Sequence, residues 1–197
     1  MDIALFDFDG TITNCDTFTP FVKAAIPRKR MRVGKILLTP FMIAHKYSLL
    51  SSSYIRQKVV RVGFKNLPVL DIAELGHKHA ESFIPNVLRP EAIERLNWHK
   101  ARGDRILIVS ASLAVYLGPW CEKMGFELCG VNLEEREGLL TGHYLDGDCT
   151  GRKKVERIRA LINLDEFEHI YAYGDTAEDI EMLDLADSKF FNWEKVS

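Results

Sequence analysis

Asp7-Phe8-Asp9-Gly10-Thr11 places two carboxylates two positions apart, directly behind the apolar run Ile3-Ala4-Leu5-Phe6. That run reads as a short buried strand. Side chains alternate along a strand, so regular geometry sends Asp7 and Asp9 to the same side. Gly10 lets the chain turn sharply and bring backbone N–H groups towards a ligand. Unit charges about 4 Å apart repel by roughly 4 kcal/mol at an effective dielectric of about 20. Either one carboxyl keeps a proton or a cation bridges the pair. Both arrangements suit chemistry, with one aspartate as nucleophile, the other as general acid and base, and a hard cation between them. The competing reading is a strand end followed by acidic turn residues.

The elements that must position these groups follow from the pattern of the chain. Asp16 or Thr17 can cap a helix running to about Ile26, before Pro27. A basic cluster follows (Arg28, Lys29, Arg30, Arg32, Lys35), then the apolar run Ile36 to Ala44, where a helix would be kinked at Pro40. Tyr54 to Phe64 and Pro68 to about Phe83 have helical spacing. Pro90 to Arg102 reads as a helix stopped by Gly103. Arg105 to Ser110 is an apolar strand, Leu113 to Met124 a helix closed by Gly125, and Phe126 to Val131 a third strand. Residues 132–146 read as a hairpin turning at Glu137-Gly138. Residues 152–163 form a helix with Val155, Ile158, Leu161 and Ile162 inward. His169 to Tyr173 is a fourth core strand, leading into Gly174-Asp175-Thr176-Ala177-Glu178-Asp179, a helix to about Leu185, and a short last strand at Lys189 to Phe191.

Strands alternating with helices predict an α/β fold with a doubly wound parallel sheet, a Rossmann-like core, and an all-helical cap inserted after the first strand. The core takes residues 1–13 and 89–197, and the cap takes 14–88. In such a sheet the strand ends bearing Asp7 and Asp9, Ser110 and Asp175 meet at one edge, and Lys154 opens a helix on the same sheet.

The 197 residues are 47% hydrophobic and 27% charged with a formal net charge of -2, which gives no global pull towards nucleic acid. Cys15, Cys121, Cys129 and Cys149 have neither C-x-x-C nor zinc spacing. They are expected as free thiols, consistent with a cytoplasmic, reducing location. Asp2 stands where a secretion signal needs positive charge, and no run of about 18 apolar residues reads as a membrane span.

These four pieces resemble the motifs of the haloacid dehalogenase-like hydrolase superfamily: Asp7-Phe8-Asp9-Gly10-Thr11, Ser110, Lys154 at a helix start, and Gly174 to Asp179. The resemblance spans the whole chain. The helical insertion and the hairpin before the lysine are similar to the phosphoserine-phosphatase-type branch, subfamily IB. The resemblance implies a Mg2+-dependent phosphatase. Asp7 would attack phosphorus to form an aspartyl-phosphate, and Asp9 would protonate the leaving oxygen and then activate water. Mg2+ would sit on Asp7, the backbone carbonyl of Asp9, and Asp175, with Asp179 holding a metal-bound water or orienting the lysine. Ser110 and the backbone around Thr11 would bind phosphate oxygens, and Lys154 would neutralise the transferring phosphoryl group. An aspartate at position 9 suits transfer to water, and the dehalogenases and ion-pumping relatives lack it.

Some assignments stay open at this level. Lys153 and Lys154 are adjacent, and Lys154 shares a helical face with Ile158 and Leu161, which favours it. For either lysine the alternative is a solvated helix-start residue. Asp16, nine residues after Asp7, fits by spacing the acidic residue that the resemblance to phosphoserine-phosphatase-type enzymes implies would contact a substrate amine, or else it caps a helix. Arg56 and Arg61 lie in the region for a basic substrate partner. Ala111-Ser112 departs from the double glycine of the family. His79 reads as a satisfied core histidine, His143 as a surface residue, and Trp98 and Trp120 as packing residues. The cap reads as a buried helix with a solvated basic end, or as an interfacial amphipathic segment making peripheral membrane contact. The substrate is expected to be a small phosphorylated metabolite, phosphoserine-like or a lipid phosphate. Phosphotransfer to an alcohol and non-catalytic phospho-ligand binding are the alternatives.

Overall fold

The computed structural model describes residues 1–196. In chain order it runs β1 (Ile3–Phe6), α1 (Phe18–Ala25), α2 (Arg28–Lys46), α3 (Ser52–Gly63), α4 (Val69–Ser82), α5 (Pro90–Arg102), β2 (Arg105–Leu113), α6 (Ala114–Met124) and β3 (Glu127–Val131). There follow β4 (Leu133–Arg136), β5 (Leu139–Tyr144), α7 (Arg152–Leu161), β6 (Ile170–Gly174), α8 (Ile180–Leu183), β7 (Ser188–Phe191) and β8 (Glu194–Val196). Six strands form one sheet in the order β3-β2-β1-β6-β7-β8, and β4 pairs with β5 alone. All neighbours in the large sheet are parallel except β7 and β8.

The four residues of β1 are wholly buried, as a central parallel strand covered on both faces must be. The chain winds outward from β1 to β3 on one side and resumes with β6 on the other. The order therefore reverses at the carboxyl end of β1, where open α/β sheets bind ligands. Phe6 lies in register with Ile108 of β2 and Tyr173 of β6, so the residues just beyond each strand end are neighbours. Local chemistry agrees with this frame. Gly103 and Gly125 close α5 and α6 in the left-handed conformation, at φ 76° and 74°. Glu137 and Gly138 both have positive φ, as a two-residue hairpin turn requires.

The four helices α1 to α4 leave and rejoin the sheet at one place. Asn14 N donates to Val87 O at 2.8 Å and Arg89 N to Ile12 O at 2.9 Å, so the outgoing and returning chains lie side by side. Two contacts seat the helices. A Cβ on Gly76 of α4 would come within 2.2 Å of the Val115 carbonyl oxygen, so the approach of α4 to α6 needs glycine there. Tyr116 of α6, fully buried, packs against Phe21 of α1 and His79 of α4 with ring centroids 4.8 and 5.0 Å away.

Several expectations are corrected. The basic cluster does not precede a helix but forms the first turns of α2, which continues through Pro40 to Lys46. Nor is α2 a buried helix. Only Gly34 is buried along it, while Ile36, Leu37 and Ile43 are 75%, 55% and 54% exposed. Leu161 is 56% exposed rather than inward, because α7 ends there and the extended Ile162 takes the core position. His79 is a core histidine but not a satisfied one. Its Nε2 has no partner, and burial lowers its pKa, favouring the neutral ring. Strand β2 runs three residues past Ser110, to Leu113, and β8 is an additional strand. The segment after Asp175 makes a single tight turn, Ala177–Asp179, before the short α8.

Candidate active site

Asp7 leaves the end of β1 with its N–H donating to Tyr173 O of β6 at 2.9 Å. The first turn of α7 then aims Lys154 into the sheet edge. Its Nζ donates to Asp7 Oδ1 and Asp179 Oδ1, both at 2.5 Å, and the side chain is 2% exposed. Lys153 turns outward and pairs with Glu156 at 2.6 Å. The lysine at the site is therefore Lys154. Asp179 Oδ2 takes a backbone N–H from Asp175 at 3.2 Å and from Thr176 at 3.0 Å, and the Thr176 hydroxyl at 2.9 Å. Asp175 is held differently, by the Thr11 hydroxyl donating to its Oδ1 at 2.9 Å. Two glycines make room for this packing. A Cβ on Gly10, at φ +93°, would fall 2.2 Å from Asp175 Oδ2, and one on Gly174 would fall 2.5 Å from Asp179 Cβ.

Asp9 is fixed from the other side. Its Oδ1 accepts from Thr17 N at 2.9 Å and from the Thr17 hydroxyl at 2.6 Å, and its Oδ2 accepts from the Ser112 hydroxyl. Asp7, Asp9, Ser110, Lys154 and Asp179 line one pocket of about 280 Å³, with Arg56 and Ser52 of α3 opposite.

The electrostatics follow from crowding acids in a buried site. Burial pushes Asp7 up to about 7, against the pull of Lys154, and the charges of Asp179 and Asp9 add to the rise. Burial also raises Asp9, partly offset by the Ser112 and Thr17 hydrogen bonds, and raises Asp175, partly offset by Thr11. Asp179 goes the other way. Burial would raise it, but Lys154 and the Thr176 hydrogen bonds outweigh that and hold it below the usual carboxylate range. For Lys154, burial would release the proton, but the two carboxylates outweigh it and raise the pKa.

Residues 4–184 match the model of the family described as haloacid dehalogenase-like hydrolase. The chain belongs to that family. It is 34% identical over 190 residues to protein CicA of Caulobacter vibrioides, covering 95% of this chain and 84% of that one. Among solved structures, a protein of unknown function from Bordetella pertussis Tohama I aligns with a TM-score of 0.78 at 20% identity, covering 96% and 89% of the two chains. A substrate-bound phosphoserine phosphatase aligns with a TM-score of 0.64 at 21% identity, covering 96% and 84%. At these identities the two structures establish the shared fold.

In this haloacid dehalogenase-like hydrolase the donor set fits a hard divalent cation. Asp7, Asp175 and Asp179 each offer a carboxylate oxygen, and the three oxygens lie within 4.8 Å of one another. Asp179 is the least free of the three, since both its oxygens already accept from protein donors.

Not every candidate converges. Asp16 is exposed and caps α1, its carboxylate accepting from Phe18 N and Thr19 N, each at 3.1 Å, and it also lines the groove that shares Ser52 and Arg56 with the catalytic pocket. Arg61 lines a different hollow, with Tyr54 and His143. Arg56 faces the site. The negative charges of Glu178, Asp9 and Asp16 outweigh its burial and raise its pKa. The residues that sequence reasoning did not assign are Thr17, Ser112 and Arg89, whose Nε donates to Gly10 O at 3.0 Å and Thr13 O at 3.2 Å. Ser112 carries a signal in retrospect. It lies two residues beyond Ser110, the spacing that regular strand alternation would turn to the same face, although β2 is irregular between Val109 and Leu113.

Ser112 takes the place of a glycine expected from the resemblance, and here it holds Asp9. A hydrogen bond to a charged group contributes about 1.5–3 kcal/mol. Ser112→Ala is expected to lower the kcat of hydrolysis about 10- to 100-fold with KM little changed, as measured by steady-state kinetics. An unchanged kcat would remove Ser112 from the machinery.

Proposed function

We propose that this chain is a Mg2+-dependent phosphomonoester hydrolase working through an aspartyl-phosphate on Asp7. The carrying observation is the buried Asp7–Lys154–Asp179 chain with Asp9 across the same pocket. Asp7 attacks phosphorus, and the bond from phosphorus to the ester oxygen breaks. Asp9, protonated, gives its proton to the leaving alkoxide. The Asp9 carboxylate then takes a proton from water as that water attacks phosphorus. The bond from Asp7 to phosphorus breaks, and inorganic phosphate leaves. Lys154 neutralises the phosphoryl oxygens, and Ser110 and the N–H groups after Gly10 bind them. Mg2+, held by Asp7, Asp175 and the Asp9 carbonyl with Asp179 behind, would offset the negative charge shared by phosphate and carboxylates. The helices of residues 14–88 act as the cap over this edge, and residues 1–13 and 89–196 form the core.

The test is phosphate release from phosphoserine, p-nitrophenyl phosphate and alkyl phosphates, with Mg2+ and with EDTA. Hydrolysis with Mg2+ and its loss in EDTA are expected. Equal rates in both would contradict the metal assignment, and no release from any ester would contradict the function.

The cap also supports peripheral contact with an anionic bilayer. Among the described residues no helix is long and apolar enough to cross a membrane. On α2, however, Val33, Ile36, Leu37, Ile43 and the following Tyr47 are all exposed and share one helical face. Residues 17–70 contain eleven lysines and arginines and no aspartate or glutamate. An apolar stripe in a one-sign basic field suits an acidic lipid surface. The protein is expected to float with phosphatidylglycerol vesicles at low salt, to be released by salt, and to bind less as Ile36→Glu. Failure to bind at low salt would sink this contact.

A further inference from the structure

The catalytic pocket does not end at the phosphate site. Ser52 and Arg56 of α3 line it, and the same two residues line a groove of about 410 Å³ that runs between α1, α2 and α3. The apolar part of its wall is Phe18, Val22, Met31, Met42, Ile55 and Val59, with Asp16, Thr19 and His45 also lining it. Beyond it, a further hollow of about 350 Å³ shares Val22, Met31, Met42 and Val59 and continues past Leu38 and Val62. The two form one apolar trough that begins at the active site. Its size is that of pockets that bury drug-sized ligands. Lys23 and Lys35 stand on its rim, and Arg56, half-buried, stands where it meets the catalytic pocket.

A phosphomonoester with its phosphorus at Asp7 turns its ester oxygen towards Asp9. Arg56 and Ser52, the residues common to both hollows, then give its leaving group a way into the groove. A sugar or an amino acid carried into the trough would lose water and meet methyl, thioether and phenyl groups instead. A hydrocarbon chain would displace water from those same groups favourably.

Resting on the phosphatase reading and narrowing it, we propose that the trough seats the apolar chain of the substrate. The substrate class is then an amphiphilic phosphomonoester, with its phosphate on Asp7 and Lys154, the neck of the molecule at Arg56 and Ser52, and a hydrocarbon chain between α1, α2 and α3. The chain determines specificity through burial, and the chemistry at phosphorus is unchanged.

The test is a series of n-alkyl phosphates from butyl to decyl, kept below their aggregation concentrations, assayed for phosphate release with Mg2+ beside phosphoserine and p-nitrophenyl phosphate. Each methylene that enters the trough is expected to raise kcat/KM about three- to fourfold, so decyl phosphate should exceed butyl phosphate by at least about 100-fold. Met42→Glu puts a charge in the trough from a half-exposed position, and Val59→Trp fills it. Each should cut the decyl-to-butyl ratio at least about tenfold, a ratio taken within one protein and so independent of how much of it is folded. A flat chain-length series overturns the assignment, as does turnover of phosphoserine with none of any alkyl phosphate, and either leaves the phosphatase reading standing. An unchanged ratio in both variants overturns it too. No turnover of any ester removes both.

Discussion

Asp7→Asn is expected to abolish phosphomonoester hydrolysis, lowering kcat by on the order of 10⁴-fold or more, without unfolding the protein. The asparagine has the same shape, and its Oδ1 can still accept from Lys154, so the packing around β1 survives. An amide cannot form the acyl phosphate, and nothing else in the pocket replaces it. The other carboxylates of the pocket are Asp9, whose oxygens Thr17 and Ser112 hold, and Asp179, whose oxygens accept from Lys154 and from the backbone of Asp175 and Thr176. The variant also turns one of the three carboxylates offered to a cation into a neutral amide. The rise in unfolding temperature that Mg2+ gives the wild type should shrink or vanish. Steady-state kinetics and thermal unfolding with and without Mg2+ check both parts. A variant that hydrolyses esters at the wild-type rate would overturn the nucleophile.

Lys154→Met is expected to show a double effect. Removing one preorganised donor to a developing charge costs about 10²–10³-fold in kcat. The same change leaves Asp7 and Asp179 crowded and buried without their shared cation, and breaking a buried pair in this way costs about 3–5 kcal/mol. Urea unfolding in EDTA should reveal that loss, and Mg2+ should restore part of it by supplying positive charge to the same carboxylates. Lys153→Met, on the solvent side, should do neither. A Lys154→Met protein as stable as the wild type in EDTA would mean that the ion pair carries no structural weight.

The acids of the site were legible because each lies in a local pattern. Asp7 and Asp9 follow an apolar run, Asp175 and Asp179 follow another, and a parallel sheet has to bring strand ends together. Lys154 was separable from Lys153 by helical face alone, even though Leu161, the last residue used to define that face, proved exposed because the helix stops there. What stayed hidden was set by long-range contacts. Thr17 meets Asp9 through the course of the irregular loop between β1 and α1, and Ser112 meets it across 103 residues. Asp16 could be read two ways from spacing, and the structure shows it capping α1. The cap was harder still. An apolar run next to basic residues reads as a buried helix with a wet end. Only packing shows that α2 turns its small Gly34 inward and leaves Ile36 and Leu37 in water. The net charge of -2 averaged away an acid-free stretch of 54 residues, from 17 to 70.

The central claim is covalent, so its most direct test is to trap the bond. Borohydride added during turnover of a good phosphomonoester reduces an aspartyl phosphate to homoserine, and peptide mass spectrometry locates it. Homoserine is expected at position 7, dependent on substrate and absent in Asp7→Asn. Reduction at another carboxylate, or none at any position while phosphate is being released, would contradict it.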